Sequence, residues 1–371
     1  MTAYDPRRPD VLADPYPAFE RLREEDPVHW SEVLGGWVLT RYADVRAALA
    51  EPRLSADRIT PFLARRAPTV SEAVEALLRR VGLWVVFTDP PVHTRLRGIL
   101  GRVFTGRVVE LRRARVAALV DALLDRAAEV GEIDLIRDFA YPLPIAVIGD
   151  LLGVPPEDHE RLKGWSDELA TFVGSALATA DRHERAARGV GEMHAYFERL
   201  VARRRAAPAD DLVTALVAAQ ERGEPLSREE LVASCVLLLF AGHETTTHHI
   251  ANGLRALLQF PEELRALREN PTLAAAAVEE LLRYDGPIGA QVRIVQAPQT
   301  LHGKDLKIGE RVFLLMNAAN RDPRAFRDPD RVDLRREGVP HLTFGFGAHI
   351  CLGFPLARLE GQIALPAVLR R

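Results

Sequence analysis

The stretch that most restricts how this chain can fold is residues 227–259, which reads as one long helix. Ser227-x-x-Glu230 has the form of a capping box, in which side chain and backbone N–H satisfy each other at a helix start. The first half that follows is apolar nearly all round, as befits a helix with protein on every side. Its apolar run, residues 231–242, is broken only by Ser234 and falls short of the ~18 residues a membrane span needs. A buried central helix requires other helices around it. Residues 107–222 supply them as amphipathic segments rich in Ala, Leu, Arg and Glu, with breaks at Gly131, Tyr141-Pro142, Pro155-Pro156 and Pro208. Strand-like patterns are few: Gln291–Val295, Arg311–Leu315, and a hairpin turning at Gly35-Gly36. The fold class is therefore mainly α with small β-sheets.

The charge balance, 49 basic against 52 acidic residues, gives no reason to expect nucleic acid or an anionic membrane as partner. Two cysteines, Cys235 and Cys351, are too few for a disulfide framework or an iron–sulfur cluster, so a reducing compartment, the cytoplasm, is expected. The polar N-terminus lacks the apolar core of a signal peptide.

Two places carry chemistry. Within the long helix, Ala241-Gly242-His243-Glu244-Thr245-Thr246 puts small and polar groups in an apolar setting, where a glycine and a threonine are apt to bulge or kink the helix. His243-Glu244 with His248-His249 is close to the His-Glu-x-x-His of zinc hydrolases. Position 247 is threonine, however, and His243 and His248 stand about 140° apart round a regular helix, too far to share a metal. Near the C-terminus, residues 344–353 crowd three glycines and two phenylalanines around Cys351, with a helix following. Glycine lets the backbone approach a bulky group closely. A cysteine at a helix N-terminus favours the thiolate, a metal ligand or nucleophile.

The order Phe-Gly-x-Gly-x-His-x-Cys-x-Gly resembles, with every fixed position filled, the haem-binding loop of the cytochrome P450 family. The resemblance runs from about Asp14 to the end and implies the P450 fold. Haem b (heme b, iron protoporphyrin IX) would lie between the long central helix and the C-terminal helix after the cysteine loop. Cys351 would be the axial iron ligand, with Phe344, Gly345, Ala241 and Gly242 against the cofactor. Asp89 reads as an N-cap for the helix that carries His93 and Arg97. The family's His-x-x-x-Arg, the strand arginine and the loop histidine match His93, Arg97, Arg293 and His349, the implied propionate contacts. Glu244 and Thr245 match the family's acid–alcohol pair, the catalytic proton relay. Glu280-x-x-Arg283 matches an internal ion pair, with Arg331 as its third member and Arg336 as the alternative.

Function follows by the same route. The resemblance implies a monooxygenase placing one atom of dioxygen into an apolar small molecule, with electrons from NAD(P)H through a ferredoxin and its reductase. A monomer and a single domain over residues 1–371 are expected. Residues 58–88, with Val85, Val86 and Phe87, and residues 288–291, with Ile288, would line the substrate pocket. The chain ends twenty residues after Cys351, where relatives continue into strands, and Pro366 falls inside the last helix, which it should kink or end. Use of peroxide in place of dioxygen, or haem binding without turnover in a truncated form, are the alternatives.

Overall fold

The computed structural model describes residues 4–64, 71–173, 181–338 and 340–371. They group into two compact units: Met1–Arg58 with His248–Phe354 and Glu360–Arg371, and Ile59–Thr247 with Pro355–Leu359.

The first unit holds the strands β1 (Val28–Ser31), β2 (Gly36–Leu39), β3 (Leu54–Ser55), β4 (Ala290–Val295), β5 (Gln299–Leu301), β6 (Lys304–Leu306) and β7 (Arg311–Leu315). Five form one sheet in the order β1-β2-β7-β4-β3, and β5 pairs with β6 alone. β1 and β2 make the hairpin read from the glycine pair, with Gly35 at φ +58° as the turn demands. Gly36 opens β2 instead, where a Cβ would stand 2.7 Å from the Arg311 carbonyl oxygen of the parallel β7. Val28, Leu39, Val312 and Leu314 point from the sheet into a core closed by Tyr42, Val45, Leu49 and Phe326. Pairing of β4 with β7 sets Arg293 opposite Val312, so its register follows from the apolar alternation of β7.

The second unit is built of helices. Glu72–Gly82 starts on the Ser71 cap, and Arg113–Val130 ends at Gly131 in the left-handed conformation. His159–Val173 lies against Arg182–Ala206, and a Cβ on Gly189 would come within 2.6 Å of the Trp165 carbonyl. The helix of His93 runs Val92–Val103. Its N-cap position is Pro91, two residues past Asp89. The Asp89 carbonyl accepts from His93 N–H at 2.9 Å.

The long helix spans Arg228–Gln259. The capping box forms in both directions: Ser227 N–H donates to Glu230 Oε2 at 2.8 Å and Glu230 N–H to Ser227 Oγ at 3.1 Å. Residues 241–246 stay helical within it. Thr245, Thr246 and Thr247 each donate their hydroxyl to the carbonyl one turn back. Helix Phe354–Arg370 likewise continues through Pro366. Ala364 and Leu365 are fully buried beside it, and their packing offsets the backbone hydrogen bond the proline lacks. No described helix is long and apolar enough to cross a membrane.

Candidate functional site

The cysteine loop is shaped by its glycines. Gly345 and Gly347 take φ of +75° and +76°, a region that strains any side chain. A Cβ on Gly347 would also stand 3.3 Å from Ala50 Cα of the helix Tyr42–Ala50. Gly345 N–H donates to the Leu342 carbonyl at 2.7 Å and Cys351 N–H to the Phe344 carbonyl at 2.8 Å. These bonds close the loop on itself and leave Cys351 partly exposed, three residues before the C-terminal helix. Phe344 packs between His341 and Phe354, with centroids at 5.5 and 6.0 Å. Phe346 lies under the Arg46 guanidinium at 4.1 Å. Cys235, by contrast, is fully buried, and burial first, then Asp211, pushes its thiol up to about 12. It is a small apolar filler.

A charged network holds this loop. Arg283, 2% exposed, donates through Nε and one terminal nitrogen to both oxygens of Glu280 at 2.8 Å. Its remaining donors meet the carbonyls of Asn320, Pro329 and Arg331 at 2.8–3.0 Å. The third member is Arg336, whose Nε lies 3.0 Å from both Glu280 oxygens. Arg331 is corrected out of this role. Its exposed side chain turns to Glu262, and it contributes only its backbone carbonyl. The reason is local: the Arg336 side chain is largely covered beside Glu280, while that of Arg331 stands in solvent.

Two residues of the network were not singled out from sequence. Asn320 accepts from Leu342 N–H at 2.7 Å and donates to Thr343 Oγ1 at 2.9 Å. Thr343 donates in turn to the Leu282 carbonyl at 2.7 Å. The available signal was Asn320 opening Asn-Arg-Asp-Pro. An Asn that bridges backbone in an irregular segment has no spacing rule to announce it. Arg293 is buried at 5% exposure on β4, donating to Gln291 Oε1 and the Val292 carbonyl at 3.0 and 3.1 Å. His349 ends the short 3-10 turn Gly347–His349, partly exposed.

In the second unit, Gly242 faces the helix Pro142–Leu152. A Cβ there would stand 2.8 Å from Ile148 Cγ1 and 3.3 Å from its Cβ, so the glycine serves close packing. Gly242→Ala should therefore cost about 1–3 kcal/mol in urea unfolding, and Ile148→Ala in that background should cost less than it does alone. Glu244 and Thr245 are partly exposed, while Thr246, Thr247 and His243 are buried. Thr245 Oγ1 gives its proton to the Ala241 carbonyl at 3.0 Å, which leaves its lone pairs available to accept. His243 Nε2 lies 3.2 Å from Tyr141 Oη and 3.6 Å from Glu244 Oε2. His248 is exposed, so it does not share a face with His243. His93 is 3% exposed, and burial first, then Arg97, holds its imidazole below the usual histidine range. It is an N–H donor at neutral pH and not a cation.

The pocket stretch 58–88 lies within the described residues except 65–70. Val85 and Phe87 are buried, and Phe87 stacks on Trp84, which stacks on Phe240, with centroids at 6.0 and 5.7 Å. Val86 and Ile288 are exposed.

Residues 69–371 match the family model Cytochrome P450. The chain is 42% identical over 98% of its length to cytochrome P450 monooxygenase PikC of Streptomyces venezuelae, covering 85% of that protein. It is 41% identical over 95% of its length to vitamin D(3) 25-hydroxylase of Pseudonocardia autotrophica, again covering 85%. The structure of P450BioI with acyl carrier protein bearing hexadec-9Z-enoic acid superposes with a TM-score of 0.90 at 36% identity, over 97% of this chain and 91% of that one. Matches of this extent, together with the cysteine loop and the helical fold, place the chain in the cytochrome P450 family, a family of haem-carrying monooxygenases and hydroxylases.

Proposed function

We propose that the chain hydroxylates or epoxidises an apolar small molecule with dioxygen, using b-type haem ligated by Cys351 and electrons from NAD(P)H through a ferredoxin and its reductase. The observation that carries this reading is the closed, glycine-shaped loop that presents one sulfur. The donor set fits the cofactor. Cys351 is partly exposed where Cys235 is buried and inert, and basic side chains suited to carboxylates stand on β4, in the loop and on Val92–Val103.

Haem held by Cys351 would supply the redox chemistry that puts one atom of dioxygen into the substrate and releases the other as water. Arg97 and Arg293 neutralise propionate charge, and His93 and His349 donate hydrogen bonds to it. Ala241 and Gly242 carry no side chain large enough to crowd the cofactor. Phe344 and Gly345 shape the wall beside the sulfur. Glu244 releases protons, and Thr245 Oγ1, its own hydrogen held by Ala241, accepts from and orients a water between them. A relative named for vitamin D(3) and a neighbour bearing a sixteen-carbon acyl chain support a largely hydrocarbon substrate.

The ferrous carbon monoxide spectrum tests the thiolate. NADH consumption with a surrogate ferredoxin pair, against peroxide alone, tests the electron route. Soret shifts across a compound panel test the substrate class. Thr245→Ala should leave haem content and substrate shifts intact while product per NADH falls about tenfold and peroxide is released. Fully coupled turnover in that variant would contradict the assignment.

A further inference from the structure

Beside Glu244 stands a line of groups that exchange protons. Asp167, on His159–Val173, has its side chain 46% exposed. Tyr141 donates to Asp167 Oδ1 at 2.6 Å, and its oxygen lies 3.2 Å from Nε2 of the fully buried His243. That nitrogen is 3.6 Å from Glu244 Oε2, so a small turn of the ring brings it into reach. The tyrosine and histidine rings meet edge to face at 5.5 Å, which fixes their approach. Lys163 sits over the Tyr141 ring at 4.3 Å and 3.8 Å from Asp167 Oδ2, holding the carboxylate in place.

We propose that Tyr141 and His243 pass protons inward to Glu244, and that Asp167 collects them from solvent. This rests on the reading of Glu244 as the proton donor given above. A solvent proton adds to Asp167. Once protonated, Asp167 no longer draws the tyrosine hydrogen, so the hydroxyl turns to His243 Nε2. The carboxyl then gives its proton to the tyrosine oxygen as the tyrosine O–H bond breaks toward that nitrogen, and the imidazolium turns and gives its proton to Glu244. One proton moves, no electrons do, and Asp167, Tyr141 and His243 end as they began. Burial, then the hydrogen bond and charge of Asp167, hold the tyrosine far above its ordinary range, so it works only by exchange and never as a phenolate. Burial lowers His243 against the opposing charge of Glu244, so a proton on Nε2 is quick to leave. The charged groups bearing on this line are Glu244, Asp167, Lys163 and, toward Tyr141, Glu160.

Tyr141 and His243 are positioning residues in this scheme, and Tyr141→Phe and Asp167→Asn test it in the full haem-loaded protein. Without turnover, nitrogen NMR of the diamagnetic ferrous carbon monoxide form should show a His243 Nε2 signal that shifts in Tyr141→Phe. With turnover, both variants should lose at least about fivefold in coupled product formation, with substrate affinity unchanged and a larger solvent deuterium effect. Asp167→Glu should restore most of the loss. A purely structural role would lower stability or affinity and leave the isotope effect alone. Unchanged coupling and isotope effect in both variants, or a His243 signal indifferent to Tyr141→Phe, overturns the relay. Thr245→Ala run in parallel separates the two readings. If it uncouples while Tyr141→Phe does not, the relay alone falls; if it stays coupled, the role of Glu244 and Thr245 falls and the relay with it.

Discussion

Cys351→Ala should give a protein that folds, and whose reduced carbon monoxide complex has lost the thiolate signature entirely, with product formation at background. The loop does not depend on the sulfur for its shape. The bond from residue 351 to the Phe344 carbonyl is a backbone bond, and Gly345 and Gly347 set the left-handed turns whatever stands at 351. The thermal midpoint of the haem-free chain should therefore move little, while any haem retained would have only its basic contacts to hold it. Cys235→Ala is the control. It removes a buried sulfur from the apolar half of the long helix and should cost about 1 kcal/mol, with the spectrum unchanged. An intact thiolate spectrum in Cys351→Ala would remove the basis for every role assigned to the loop.

Much of this was legible because it is local. Capping box, hairpin, helix breaks and the glycine-bound cysteine are each set within a few residues, and the chain shows them where the sequence puts them. What failed were expectations resting on a residue's average behaviour. Gly242 was read as a weak point, yet the space beside it is filled by Ile148 of another helix. Of the two outcomes expected at Pro366, a costly interior proline or a helix end, the first holds, and burial carries the helix past it. The partners of Glu280 and the bridge made by Asn320 and Thr343 depend on how a long irregular segment, residues 320–343, folds back. Periodicity says nothing about such a path. The line from Asp167 to Glu244 joins three helical segments by single side chains, a juxtaposition that no spacing within one segment encodes.

Glu280→Gln should destabilise the fold by about 3–5 kcal/mol, because Arg283 would stay 2% exposed with its charge unanswered. Glu280 also accepts from Arg336 and from Asp333 N–H at 2.9 Å, so a single carboxylate organises three groups. Arg336→Ala should cost nearly as much, and in either variant haem content per folded chain should fall. The path is explicit: Arg283 binds the Asn320 carbonyl, the Asn320 side chain holds Leu342 and Thr343, and Thr343 is followed directly by Phe344, to which Cys351 is bonded. Arg331→Ala supplies the contrast, since its 3.4 Å pair with Glu262 is exposed and worth less than about 1 kcal/mol. Urea unfolding of the three variants, with haem-to-protein absorbance ratios, checks the ranking. Equal losses from Arg331→Ala and Arg336→Ala would mean that the buried triad does not hold the loop. A triple replacement of Glu280, Arg283 and Arg336 by apolar residues of similar size should cost less than the sum of the single changes, because it leaves no buried charge behind.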